Sequence, residues 1–451
     1  MSPFLLSTVA RVGKIVQRLT RDRTMGQFRA AIIAVSTALL VACGGGDGGG
    51  SFPPPAGGGG GGGDGGGLPP PSSAPALKTN LAARYGVVNF PVGAAIEPEA
   101  TTATLERDIL LKHFSSITAE NAMKPDTVWP NKAGTGGATS LPADTPNFVP
   151  GDTLAAFAFN NGLQLRGHTL LWYRTAPTWF FAGDPVGDPV TYRINVQHRL
   201  RDYIYAVVQH FPNVYAWDVV NEVASDTPFD QNPFRTNSPW YLAYGVGGGD
   251  PREYVRDAFL FATQARSLAG RNSSNMKLML NDYNTELAGK RDNVLRIVQY
   301  VMNAGTGADI NGVGHQFHLQ LNADVTQVTA AFEAVEALSS TLVNHVTELD
   351  VSIYLDPGDC FSAGTIPPCM ADYGANPPAN VMSQQATLYR ELFTAFDRPS
   401  VTSVTAWGVA DNHTWLNSWP VTRTNRPLLF DTAGNPKSAF WAVVDPSFDI
   451  P

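Results

Sequence analysis

Between residues 90 and 444 the chain alternates, eight times over, between a short apolar run and a segment of helical periodicity. The apolar runs cover 90–96, 115–121, 163–172, 214–222, 277–284, 310–319, 343–351 and 401–411. The amphipathic segments that follow them cover 105–114, 152–162, 191–211, 252–268, 290–304, 325–340, 383–396 and 440–444. Strands that are apolar along their whole length are buried on both faces, which is the condition of a parallel sheet covered by helices. Eight such strand–helix units predict an α/β chain folded as one (β/α)8 TIM barrel over 77–451, rather than two domains. A doubly wound open sheet is the alternative. No Gly-rich phosphate loop follows the first strand, and this argues against it.

A barrel of this kind carries its chemistry at the C-terminal ends of its strands. The polar residues of chemical interest collect at those ends: Glu120 and Asn121, His168 and Trp172, Asn221 and Glu222, Asn281 to Asn284, Gln316 and His318, Glu348, Trp407 and Asp411. Two glutamates stand out. Glu222 closes Trp217-Asp218-Val219-Val220-Asn221-Glu222, and Glu348 sits in Val346-Thr347-Glu348-Leu349-Asp350. Two carboxyl groups flanking a sugar C1 are what glycosidic bond cleavage requires. At a separation of about 5–5.5 Å, one attacks C1 while the other protonates the leaving oxygen, and configuration is retained. Mutual repulsion favours a proton on one of the two, as the acid needs. Singly, each glutamate reads equally well as a salt-bridged acid on the barrel rim.

Charge narrows the partners. The chain has 31 Lys and Arg against 39 Asp and Glu, a formal net charge of −8. Six of the basic and one of the acidic side chains lie in the first 42 residues, which leaves 25 against 38 in the remainder. Such a surface repels nucleic acid and is compatible with a neutral polymer. No His, Cys and carboxylate spacing suggests a zinc site, and neither a serine elbow nor a P-loop is present, so neither metal nor cofactor is expected. His315, His345 and His413 read as structural.

The segments Ile117-Thr-Ala-Glu-Asn-Ala-Met-Lys124, Gly167-His-Thr-Leu-Leu-Trp172, Trp217-Asp-Val-Val-Asn-Glu222, Gly314-His-Gln-Phe-His318, Thr347-Glu-Leu-Asp350, Trp407-Gly-Val-Ala-Asp411 and Arg426-Pro-Leu-Leu-Phe-Asp431 together resemble the signature blocks of glycoside hydrolase family 10, in the same order. The resemblance spans roughly Leu77 to the C-terminus and implies an endo-1,4-β-xylanase acting with retention. It makes Glu222 the general acid/base and Glu348 the nucleophile. It implies that Asn221 bonds the 2-hydroxyl of the sugar in the cleavage subsite, and that His318, supported by Gln316, orients the nucleophile. His168 and Trp172 resemble the family's glycone-side residues. Glu120, Asn121 and Lys124 resemble its distal glycone subsite. Trp407 and Trp415 offer flat faces on which a pyranose can stack, with core packing as the competing use of an indole. For Asn281, Tyr283 and Asn284, structural and substrate contacts stay unseparated. Tyr244-Gly-Val-Gly-Gly-Gly-Asp-Pro251 and the loop 356–380 are departures from a minimal member, expected to overhang the catalytic rim on the aglycone side. A relative cleaving β-1,3-xylan or trimming xylo-oligosaccharides is the alternative within the class. A non-catalytic surface glycan-binding protein is the alternative outside it. The enzyme is expected to be a monomer.

The N-terminal region reads differently. Arg29 precedes an apolar run, 30–42, that ends in Leu40-Val41-Ala42-Cys43. About 13 residues are too few for a spanning helix, which needs about 20. The pattern resembles the lipobox of bacterial lipoprotein signal peptides, with Cys43 as the lipidated residue, 1–42 as the signal peptide and Met25 as the natural start. An uncleaved membrane anchor is the competing reading. Gly44, rather than Asp, after the cysteine points to the outer membrane. Residues 44–76 are almost entirely Gly, Pro, Ser and Asp, a composition that cannot bury a core. Such a tether would reach roughly 30 Å. Cys360 and Cys369 remain as the other possible pair. In an exported protein they can oxidise, closing a loop worth about 2.5–3 kcal/mol in the chain-entropy picture; two free thiols are the alternative.

Overall fold

The strands wind into a ring. β1 (Val92–Ile96), β2 (Ser116–Ala119), β3 (Gln164–Gly167), β4 (Val214–Asn221), β5 (Lys277–Asp282) and β6 (Gly312–His315) pair in sequence order, each parallel to the next. β7 (His318–Gln320) lies beside the end of β8 (Val343–Ser352), which also pairs with β6; β9 (Val401–Ala406) joins β8 to β1 and closes the circle. β6 and β7 together fill one position, so the ring is an eight-stranded parallel (β/α)8 barrel. The computed structural model describes residues 68–130, 145–363, 369 and 371–451. The segment 1–42 read as a signal peptide, Cys43 and most of the Gly-rich stretch lie outside the described residues.

A helix, α1 (Leu77–Arg84), precedes β1. α2 (Thr104–His113), α3 (Val149–Asn160), α4 (Pro189–His210), α5 (Glu253–Leu268), α6 (Ala288–Met302), α7 (Val325–Leu338), α8 (Ala379–Ala395) and α9 (Ser438–Val444) each follow one strand position. Local chemistry sets some starts. Asp188 caps α4 by accepting the Thr191 N–H, with Pro189 in the first turn, and Asp324 caps α7 through the Thr326 N–H. All five residues of β1 are buried, as are all but the first of the ten in β8, as strands with helices outside and side chains inside require. Gly167 lets the neighbouring strand come close: a Cβ there would stand 2.3 Å from Cε3 of the buried Trp217.

Two features depart from the sequence reading. The run 163–172 pairs as a strand only to Gly167; beyond a cis His168–Thr169 peptide, a single bridge ties Trp172 to Asn221. The run 310–319 is broken in two at Gln316 and Phe317, the latter at φ 51°. The 244–251 segment packs on the first turns of α4: Arg193 donates to the Val246 carbonyl at 3.3 Å, and a Cβ on Gly247 would meet Pro189 at 3.1 Å. Cys360 and Cys369 are joined as a disulfide. Their loop is fastened by the buried Arg423, which pairs with Asp356, donates to the Cys369 and Ala371 carbonyls and lies 3.8 Å from the Tyr354 ring centroid. Among the described residues no helix is long and apolar enough to cross a membrane.

Candidate active site

Glu222 follows the last residue of β4 and turns in the left-handed region, at φ 56°. A non-glycine residue there carries strain, on the order of 1–3 kcal/mol, that the surroundings must hold. Its N–H donates to the Asn281 carbonyl at 2.9 Å and its carbonyl accepts from Arg235 Nε at 2.9 Å, so both neighbouring peptides are clamped. Arg235 and Lys290 are in turn paired with Asp226. The Glu222 side chain accepts the Trp172 indole N–H on Oε2 at 2.9 Å and faces Gln316 Nε2 from Oε1 at 3.4 Å.

Glu348 lies within β8, 4% exposed. Its Oε1 accepts from Asn281 Nδ2 at 2.6 Å, and its Oε2 meets His318 Nε2 at 3.1 Å. Three amides connect the two acids. Gln316 Nε2 donates toward Glu222 and to Asn221 Oδ1 (3.1 Å); that oxygen also accepts from Asn281 Nδ2 (2.9 Å), which donates to Glu348 as well. Thr347 Oγ1 fixes the Asn281 amide by donating to Oδ1 at 2.7 Å. The break between β6 and β7 is what lets Gln316 serve one acid and His318 the other.

The two carboxyl groups have opposite electrostatics. Burial, then the nearby Asp282 charge, pushes Glu222 up to about 7 against the lowering effect of the Trp172 hydrogen bond; Glu348 adds a further upward push. Burial also works against a charge on Glu348, but the hydrogen bond and positive charge of His318 outweigh it and hold Glu348 below the usual carboxylate range. Burial alone would lower His318; Asp350, bonded to its Nδ1 at 2.9 Å, and Glu348 instead raise it to about 10. His318 is therefore an imidazolium at neutral pH, donating from both nitrogens.

The remaining sequence-derived residues gather around this pair. Trp415 donates its indole N–H to Asp350 Oδ2 at 2.8 Å and stands edge-on to His318 at 4.9 Å between centroids. Trp407, 8% exposed, packs against the His168 and His318 rings at 5.4 and 6.2 Å. His168 is buried, its Nδ1 2.9 Å from Asp218, which forms a fully buried ion pair with Arg166. Lys124 Nζ donates to Asn121 Oδ1 at 2.7 Å and lies 4.9 Å from the Trp172 ring centroid. Glu120 follows β2, and burial, with the charge of Glu97, pushes it up to about 7. Asp411, by contrast, points into a buried pair with Lys437 at 2.9 Å.

Several contributors were not singled out from sequence. Asn281 was left open and proves to bridge both strands that carry the acids. Arg166, Asp218, Asp282 and Asp350 support the site from beneath, and the signal for them was a charge inside an otherwise apolar run. Glu97 carried no such signal. His315 bonds Thr285 and Asn344, and burial lowers it to about 4, in keeping with a structural role. Among the described residues no cluster of His, Cys, Asp or Glu is arranged to hold a metal ion.

The sequence model of glycosyl hydrolase family 10 matches residues 80–446. The chain belongs to glycosyl hydrolase family 10. This family 10 chain is 37% identical over 372 residues to a thermostable celloxylanase of Thermoclostridium stercorarium, covering 79% of this chain and 85% of that protein. It is 34% identical over 360 residues to a β-1,4-xylanase of Dictyoglomus thermophilum, covering 79% and 88%. Among solved structures it is similar to xylanase B from Clostridium stercorarium F9, with a TM-score of 0.68 and 36% identity over 82% of this chain and 100% of that one. As a family 10 member the chain is a glycoside hydrolase.

Proposed function

We propose that the protein is an endo-1,4-β-xylanase that hydrolyses internal β-1,4-xylosidic bonds of xylan with retention of configuration. The observation that carries the roles is the opposed electrostatics of two acids tied into one amide network: Glu222 is pushed up to about 7, while Glu348 is held low by His318. The names of the relatives, xylanases at 33–37% identity, support the substrate.

In the first step Glu348 Oε attacks C1 of the bound xylose. The C1–O bond breaks, and the departing oxygen takes the proton of Glu222. The product is a glycosyl ester of Glu348, with inverted configuration at C1. Glu222, now a carboxylate, takes a proton from water as that water attacks C1; the ester bond breaks, Glu348 leaves as a carboxylate, and the original configuration returns. Asn221, its Oδ1 already engaged by Gln316 and Asn281, has its amide N–H groups to offer a sugar hydroxyl. The contact strengthens as charge develops on the ring.

Two variants test these roles. Glu348→Ala is expected to abolish hydrolysis. Glu222→Ala is expected to retain cleavage of aryl xylobiosides with good leaving groups, with azide restoring turnover as a glycosyl azide product. Equal loss on every substrate, with no azide rescue, would remove Glu222 from the acid/base role. Digestion of β-1,4- and β-1,3-xylan, with product sizing, checks the linkage.

We further propose that Cys43 is acylated and anchors the enzyme to the outer membrane. The apolar run ending at Cys43 and the Gly-rich stretch after it support this reading. Metabolic labelling with an alkynyl fatty acid should mark the wild type and not Cys43→Ser; equal labelling of both would end it.

A further inference from the structure

Glu97 and Glu120 each occupy the first position beyond a strand, after β1 and β2, on adjacent strands in register: Ile96 pairs with Ala119, and the Glu120 N–H donates to the Ile96 carbonyl at 3.1 Å. The two carboxyl groups therefore stand side by side on the catalytic rim. Glu97 accepts a hydrogen bond on Oε1 from Asn121 Nδ2. Asn121 Oδ1 in turn accepts from Lys124 Nζ, and the Lys124 ammonium lies over Trp172, whose indole N–H reaches Glu222. Glu97 thus begins a continuous series of contacts that ends at Glu222. The Asn121 backbone N–H also bonds the Glu97 carboxyl group, so Glu97 holds Asn121 through both its side chain and its main chain.

We propose that Glu97 is a positioning residue on the glycone side, holding Asn121 in place for a hydroxyl of the sugar one place beyond the cleaved residue. The inference rests on the reading of Glu120, Asn121 and Lys124 as that distal subsite. The ligand chemistry follows from the hydrogen-bonding groups: the Asn121 amide, the Lys124 ammonium and the Glu120 carboxyl group can each bond a hydroxyl of a pyranose. Glu97 touches neither catalytic acid and reaches Glu222 only through Asn121, Lys124 and Trp172, so its effect falls on binding of the distal sugar ahead of bond cleavage.

The test compares an aryl β-xylobioside, which fills the distal subsite, with an aryl β-xyloside, which does not. Glu97→Ala is expected to lower kcat/KM for the xylobioside about tenfold, through KM, and to leave the xyloside within twofold. Glu97→Gln, which keeps an acceptor for Asn121 without the charge, should fall between. Glu120→Ala is run in parallel. If Glu120→Ala raises KM for the xylobioside and Glu97→Ala does not, the assignment of Glu97 is overturned while the subsite stands. If neither variant distinguishes the two substrates, the subsite reading fails and the assignment with it. An equal loss on both substrates in Glu97→Ala, with unchanged Tm, would also overturn it, because it would place the effect on cleavage and not on the distal sugar.

Discussion

Trp172 donates its indole N–H to Oε2 of Glu222 at 2.9 Å. The bond favours the charged carboxylate, so it works against burial and the Asp282 charge, which together push Glu222 up to about 7. Trp172→Phe removes it while keeping an aromatic face. The pKa of Glu222 should rise, and because the first step needs Glu222 protonated, the alkaline limb of the kcat/KM profile should move to higher pH. A pH profile on xylan measures it directly; a limb moving to lower pH would contradict the account.

His318 controls the other acid. Its Nε2 contact with Glu348, and the charge it owes to Asp350, oppose the effect of burial on the nucleophile. His318→Gln should let the Glu348 pKa rise and move the acidic limb of kcat/KM to higher pH. A charge-assisted hydrogen bond is worth about 1.5–3 kcal/mol, so kcat should fall roughly 10- to 100-fold at neutral pH. An unchanged acidic limb would separate His318 from Glu348.

The raised pKa of Glu222 also bears on stability. Its ordinary value is 4.5 and its folded value about 7. Between these values the folded state binds more protons than the unfolded state, so stability falls as pH rises through that window and levels off above it. Glu222→Gln carries no such charge. The stability of Glu222→Gln relative to wild type should therefore increase from pH 4.5 to pH 7, as read by thermal unfolding across that range.

Lys437 and Asp411 form a buried pair 2.9 Å apart, behind the rim. Removing one member of such a pair strands the other charge, at a cost of about 3–5 kcal/mol. Lys437→Met should lose that much in chemical unfolding at pH 7. The loss should shrink at lower pH, because burial, no longer opposed by Lys437, raises Asp411 further and lets it take up a proton.

The barrel was legible because burial on both faces leaves a plain signature: eight apolar runs at helix-sized intervals. Glu222 was legible because barrel geometry requires chemistry at strand ends and it follows β4 directly; Glu348 lies inside β8, and its signal was an acid within an otherwise apolar run. Other details depend on contacts that no local pattern encodes. The stop of β3 at Gly167 and the left-handed turn at Phe317 lie inside runs that read as uninterrupted strand. Asn281 could be located but not assigned, because its partners, Asn221 and Glu348, are 60 and 67 positions away. The close approach of 244–251 to Pro189 and Arg193, which its glycines allow, is likewise a contact between distant segments. Glu97 looked like any exposed acid after a strand until its neighbour Asn121 was in place.

The interruption between β6 and β7 has an engineering consequence. Transplanting the two glutamates into another barrel with a regular sixth strand would copy the reagents without the joint that lets Gln316 serve one and His318 the other. The transferable unit includes the crook at Phe317, and a one-residue deletion within Gln316-Phe317-His318 should unhook proton donor and attacking group in a single stroke.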